Sequence, residues 1–149
     1  MSQYLMKARE PISSFSHMIG AVVFAFATIL LIVKALFVGS WSPEILVGVI
    51  VFGISLVALY SASAIYHYSN GSKHKILVLR KLDHSMIYVL IAGSYTPILL
   101  KFMAQREGLI FVSVMWLCAA VGVVIKLCWF NAPRWLQTNL YCQETKCFS

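Results

Sequence analysis

The sequence predicts an all-α, multi-pass transmembrane helical bundle, and three observations support this prediction. Of the 149 residues, 60% are hydrophobic and only 11% are charged, against roughly 45–50% and 25% in a soluble domain. The apolar residues form four runs, each close to the roughly 20 residues that a helix needs to cross a bilayer. These runs lack the period-two alternation of barrel strands, so helices are the expected way to satisfy the backbone in lipid.

Local signals place the ends of the four predicted helices. Gly39 follows the first run, Ser42 and Pro43 offer an N-cap and a first-turn proline for the second, and the Asn-Gly-Ser sequence at 70–72 stops it. In the third run, Pro97 removes a backbone donor, which predicts a kink that shapes a cavity. The predicted helices cover about residues 17–38, 45–66, 83–100 and 109–130.

The basic residues predict the orientation in the membrane. The formal net charge is +7, and most Lys and Arg residues lie in the connections on one side of the predicted bundle. Because short cytoplasmic loops are rich in Lys and Arg, we expect a cytoplasmic N-terminus. This distribution between apolar runs is typical of orientation signals, and we expect no nucleic-acid partner. The polar start, 1–10, does not resemble a cleavable signal peptide.

Polar residues converge near the predicted cytoplasmic ends of three helices: His17, Ser63, His67, Asp83 and His84. Two interpretations remain open for them. Serines among alanines are typical of close helix packing, an interfacial His anchors a helix end, and a first-turn Asp stabilises a helix N-terminus. Ionisable groups in a membrane span are costly, however, and their convergence indicates a functional site.

The chemistry of this convergence favours a metal. Neutral imidazole is a good zinc ligand, and a nearby carboxylate or hydroxyl orients the ligand or a water on the metal. A catalytic zinc needs about three protein ligands. The residues offer His67 with His17 or His84, and no His-x-x-x-His pair occurs in the sequence. The four cysteines, which lie in an apolar run and in the last eight residues, predict no disulfide framework.

Three strings carry a resemblance to a known family: EPISSFSHMIG at 10–20, SASAIYH at 61–67 and RKLDHSMIYVLIAGSYTP at 80–97. In this order they resemble the hemolysin III family, the bacterial branch of the progestin and adipoQ receptor superfamily. The resemblance implies a seven-helix protein of the bacterial inner membrane with a cytoplasmic N-terminus. It also implies a zinc site near the inner leaflet, held by one His of the second helix and two of the seventh.

Within that resemblance, the second-helix zinc ligand corresponds to His67, and Ser63 and Asp83 match the serine and aspartate around the water on zinc. His17 and His84 are weaker candidates beside them. Relatives of the superfamily imply zinc-dependent hydrolysis of a membrane lipid amide. Two alternatives stay open: a pore-forming cytolysin, as the family name says, and a receptor or homeostasis protein with a structural zinc.

The end of the chain departs from the family pattern. After the string APRWLQTNLY at 132–141, the sequence continues with the polar CQETKCFS and offers no further apolar run. We therefore expect a truncated member, with a membrane domain at 1–141 and a non-family tail at 142–149. Lacking the seventh-helix histidines, the chain is expected to be inactive alone, because His67 by itself does not hold zinc tightly.

Overall fold

The computed structural model describes residues 8–38 and 42–128, and all regular structure in these ranges is helical. Four helices follow one another: α1 (Pro11–Val38), α2 (Pro43–Tyr68), α3 (Lys73–Phe102) and α4 (Gln105–Cys128). Each is long and apolar enough to cross a membrane. The prediction of an all-α, multi-pass protein with four helices is confirmed.

Proline and serine mark the helix starts. Pro11 and Pro43 occupy the first positions of α1 and α2, where the missing N–H costs nothing because that donor has no partner within the helix. Ser42 lies at the N-cap of α2 with extended backbone but forms no side-chain cap. Ser72 does cap α3, since its hydroxyl accepts a hydrogen bond from the Lys75 N–H at 3.4 Å.

Two helices begin earlier than the hydropathy indicates. The first begins six residues before His17 and the third begins ten residues before Asp83. The apolar run marks where a chain crosses lipid, whereas the hydrogen-bond ladder of a helix continues into polar residues wherever a cap allows it. The interpretation of Asp83 as a first-turn carboxylate is therefore wrong, because the first turn of α3 contains no acidic residue.

The helices pack in the order of the chain, each against the next. Contacts join α1 to α2, α2 to α3 and α3 to α4, and no other pair among the described helices has more than a weak contact. Burial follows this order: 28% and 22% of the apolar windows of α2 and α3 are buried, against 6% and 11% for α1 and α4. The four helices thus form an open row whose inner members carry most of the packing.

Small residues let α2 and α3 approach closely. A Cβ added at Gly48 would lie 2.8 Å from the Cα of Pro97, and one added at Gly93 would lie 2.8 Å from the Cβ of Ser55. The absence of a side chain lets Gly48 meet the backbone of Pro97 and lets Gly93 meet the Ser55 side chain, and such close contacts are common between transmembrane helices. The proline lies within an uninterrupted α3, and its ring faces the glycine of the neighbouring helix.

Three buried hydroxyls on α2 and α3 bond within their own helices. Ser55, Ser85 and Thr96 each donate to the carbonyl four residues earlier, at 2.8, 2.8 and 2.7 Å. Thr96 also accepts a 3.2 Å hydrogen bond from the indole N–H of Trp116 on α4. A groove of about 450 Å³ between α2, α3 and α4 is lined by this pair.

Three sequence-based expectations fall outside the described residues. These are the last two residues of the predicted fourth helix, at 129–130, the polar tail at 142–149, and the cysteines within that tail. In the part of the chain that the structure describes, Cys118 and Cys128 are free thiols.

Replacing Gly48 with alanine tests the close approach of α2 and α3. Alanine gains roughly 1 kcal/mol over glycine in a helix, but a clash with rigid backbone costs about 1–3 kcal/mol, so we expect a lower melting temperature in detergent. The control is Gly71→Ala, where the nearest atom is the flexible Cδ of Lys75 at 3.2 Å; its stability should change by less than about 0.5 kcal/mol. Equal melting temperatures for the two variants would contradict this packing.

Candidate functional site

The start of α1 and the end of α2 meet at one end of the row. The backbone N–H of Glu10 donates to the His67 carbonyl at 3.1 Å, and the Ser14 hydroxyl donates to the Ala64 carbonyl at 3.2 Å. Both bonds join the first turn of one helix to the last turn of the next. The side chains of His17 and His67 are held between these turns.

Asp83 on α3 lies at the same depth. Gly93 packs against Ser55, and the two helices run in opposite directions with the same rise of 1.5 Å per residue. On α3, Asp83 precedes Gly93 by ten residues. On α2, Ile65 follows Ser55 by ten residues. Asp83 is therefore level with the turn of α2 that lies between Ser63 and His67.

His67 is the most connected of the predicted site residues. Its Nδ1 lies 2.7 Å from the Oε2 of Glu10, and its ring stacks on that of His17 with centroids 5.5 Å apart and planes 5° from parallel. Tyr66 packs at its edge, 4.9 Å between centroids. The imidazole is 19% exposed, and its Nε2 has no hydrogen-bond partner among residues 8–38 and 42–128.

His17 has a buried and unsatisfied nitrogen. Besides His67, its ring packs against Tyr60, with centroids 5.6 Å apart. Its Nδ1 is buried and has no hydrogen-bond partner within the described structure. Since a buried polar atom without a partner costs about 1–3 kcal/mol, this nitrogen is a feature that helix packing alone does not explain.

Ser63 differs from three other buried hydroxyls, those of Ser55, Ser85 and Thr96. It is 5% exposed and lies one turn before His67 on the same helix. Whereas Ser55, Ser85 and Thr96 bond to their own helices, the Ser63 hydroxyl has no hydrogen bond among the described residues. The hydroxyl thus remains able to donate to a group next to His67.

Asp83 pairs with its neighbour on α3. Its Oδ2 lies 3.6 Å from the Nδ1 of His84, and its side chain is 17% exposed. The same His84 nitrogen lies 2.9 Å from the carbonyl of Arg80, which identifies it as the protonated nitrogen because a carbonyl only accepts. Within the described ranges, no hydrogen bond or ion pair joins Asp83 to His67.

The residues fit a zinc site only in part. His67 has the features of a ligand, since one nitrogen is engaged by a carboxylate and the other is unpaired. Yet no group of three or more His, Cys, Asp or Glu side chains in residues 8–38 and 42–128 is arranged to hold a metal ion. The described residues therefore offer one ligand and do not form a zinc site by themselves.

Sequence reasoning missed Glu10 as a partner of the site. The residue opens the first family-like string, but it was not singled out, because a Glu before Pro11 at a helix start has an ordinary role next to the helix dipole. The sequence signal that could have indicated it is an acidic residue seven positions before His17, in the segment that flanks the first membrane span. Only the packing of α1 on α2 shows that its carboxylate reaches a histidine 57 residues away.

Comparisons with known proteins match this chain to one family and to its members. Residues 5–144 match the family described as "Haemolysin-III related". The chain is 35% identical to a hemolysin-3 homolog of Bacillus subtilis over 133 residues, covering 89% of this chain and 61% of that protein. It is 33% identical to hemolysin-3 of Bacillus cereus over 143 residues, covering 95% and 62%. The chain thus spans about three fifths of the length of these relatives, and no solved structure matches it significantly.

Truncating Tyr60 tests the packing beneath the histidines. Its ring contacts both His17 and Phe24, the latter with centroids 5.0 Å apart. Tyr60→Ala should cost about 2–4 kcal/mol, somewhat below the roughly 3–5 kcal/mol of a fully buried aromatic. The matched control is Tyr95→Ala, since Tyr95 is 48% exposed and should change stability by less than about 0.5 kcal/mol. Thermal unfolding in detergent measures both, and similar losses would contradict the packing.

Proposed function

Because the chain belongs to the Haemolysin-III related family, we propose that this integral membrane protein contributes part of a zinc-dependent site that hydrolyses a membrane lipid amide. In this proposal His67 supplies one zinc ligand, while Ser63 and Asp83 position the attacking water. The remaining zinc ligands come from outside the described residues.

One observation supports the proposal above the others. Ser63 and His67, one turn apart at the end of α2, each leave a polar atom unpaired among the described residues, the hydroxyl and Nε2. By the register of the two helices, Asp83 is level with the turn of α2 that carries both residues. Helix packing requires neither of these atoms nor the Asp83 carboxylate, whereas a site that binds a metal and a water uses all three.

In the proposed reaction, the metal and the residues of this chain would have different roles. Bound zinc lowers the pKa of its water to about 7 and polarises a carbonyl. On this chain, Asp83 would accept the proton of the attacking water, and Ser63 would donate a hydrogen bond that fixes its position. The surrounding apolar helices would admit the acyl chains of the lipid and limit the access of bulk water.

Two other functions compete with this one. The relatives carry the name hemolysin-3, which favours a pore or lytic activity, and a zinc of purely structural role would suit a receptor or homeostasis protein. The described helices are apolar over most of their surfaces, with many large side chains exposed. This surface suits a resident membrane protein, whereas a pore wall needs a polar face.

A chimera tests the role of His67 directly. In it, this chain replaces the matching 61% of the Bacillus subtilis homolog, so that the rest of the relative supplies the missing ligands. We expect stoichiometric zinc in the purified chimera by mass spectrometry of metals. His67→Ala should weaken zinc binding by more than about 100-fold, since even losing an outer partner costs 10–100-fold. The control His74→Ala, at the exposed start of α3, should bind zinc normally.

Two assays on the same chimera separate the functions. Release of fatty acid from a short-chain ceramide in detergent, lost in His67→Ala, would support hydrolysis. Normal zinc content without any release would contradict the enzyme and favour the structural role. Lysis of red cells that survives His67→Ala would favour the pore.

The orientation of the chain is also a proposal. The side formed by the start of α1, the α2–α3 connection and the end of α4 carries several basic residues, and the α3–α4 end carries Lys101 and Arg106. By the positive-inside rule the first side faces the cytoplasm of a bacterial cell and the N-terminus lies there, in the inner membrane.

Reporter fusions test this orientation. Alkaline phosphatase, which folds only outside the cytoplasm, should be active when fused after Ala104 between α3 and α4. It should be inactive when fused after Gly71 between α2 and α3. The opposite pattern would show that the N-terminus lies outside.

A further inference from the structure

Glu10 contacts His67 at two points. Its backbone N–H donates to the His67 carbonyl at 3.1 Å, and its Oε2 lies 2.7 Å from the His67 Nδ1. The first bond fixes the distance between the backbones of Glu10 and His67, and the second joins their side chains, of which that of Glu10 is 48% exposed. Pro11, the next residue, begins α1 and restricts the backbone there further.

The neighbours of this pair keep it in place. Arg9 lies 3.3 Å from the other carboxylate oxygen, Oε1, and its guanidinium stacks over the Tyr66 ring at 4.5 Å. The arginine thus engages one oxygen and leaves the other to the imidazole. On the far side of the His67 ring, the nearly parallel ring of His17 restricts its plane.

This geometry decides which ring nitrogen carries the proton. An ionised carboxylate only accepts hydrogen bonds, so the His67 Nδ1 must be protonated to make a 2.7 Å contact with it. In the neutral ring the lone pair is then on Nε2, which has no partner among the described residues. Nε2 is the nitrogen on which a metal or a proton donor would act.

We infer that Glu10 is a positioning residue for His67: its carboxylate fixes the Nδ1–H tautomer and so leaves the lone pair on Nε2, where a ligand would bind. The inference rests on the proposed function for the identity of that ligand, a zinc ion. The tautomer itself depends only on this chain. Carboxylate–histidine pairs of this kind orient ligands and raise their basicity.

The tautomer is measured by ¹⁵N NMR on the full 149-residue chain in lipid nanodiscs, with labelled histidine, at mildly alkaline pH. We expect the wild-type His67 to show a protonated Nδ1 and an unprotonated Nε2. Glu10→Ala should shift the ring toward the Nε2–H tautomer that a free histidine side chain prefers. An unchanged Nδ1–H tautomer in Glu10→Ala would overturn the inference.

Two further variants separate positioning from folding. Glu10→Gln keeps an accepting oxygen and the backbone bond to His67 but loses the charge, so the Nδ1 proton resonance should move upfield while the fold persists. If Glu10→Ala does not fold, the Nδ1 proton resonance of Glu10→Gln tests the inference. A chemical shift equal to that of the wild type would overturn it. The matched control is Glu44→Ala, because Glu44 lies in the first turn of α2, whereas Glu10 lies just before α1, and it should leave the His67 signals unchanged.

Zinc affinity distinguishes this inference from the function on which it rests. In the chimera, Glu10→Ala should weaken zinc binding by about 10–100-fold. If the chimera binds no zinc, the zinc function is refuted. If the His67 tautomer still responds to Glu10→Ala in that case, the positioning of the ring by Glu10 is supported. Normal zinc affinity in Glu10→Ala refutes the positioning role and leaves the zinc function standing.

Discussion

The hydrocarbon core of the bilayer offers no hydrogen-bond partner to the backbone, and the rest of this structure depends on that constraint. It makes each membrane crossing a helix, and it also governs the polar side chains that the crossings contain. Ser55, Ser85 and Thr96 meet the constraint by bonding to the carbonyl four residues earlier. Among the described residues, the unpaired Nδ1 of His17 and the unpaired hydroxyl of Ser63 do not follow this pattern and require another explanation.

Packing between the helices follows from the same environment. Because lipid is as apolar as leucine, burying large side chains gives transmembrane helices little advantage, and close backbone contact matters more. Gly48 against Pro97 and Gly93 against Ser55 provide such contacts at the centre of the row. They also fix the register that brings Asp83 level with Ser63 and His67. The positions of the site residues thus depend on glycines more than a turn away from them.

The sequence was sufficient to predict the fold class, because length and continuity of apolar runs are physical requirements of membrane crossing. Helix starts were predicted less well, since a cap such as Ser72 lets a helix begin in water, where hydropathy gives no signal. For the site, the sequence indicated His67, Ser63 and Asp83 through a resemblance and through their polarity in a span. The partner Glu10 was not predictable, because a contact across 57 residues depends on how two helices meet.

The order of the helix contacts has a consequence for how the protein forms. Each described helix packs against its immediate successor, with at most a weak contact beyond it, so an interface is completed as soon as the next helix enters the membrane. Such local connectivity requires few distant loop closures, which are the slow steps in folding. Assembly is therefore able to proceed during synthesis, from the N-terminus onward. The junction of α1 and α2 that contains His17 and His67 would then be among the first tertiary features to appear.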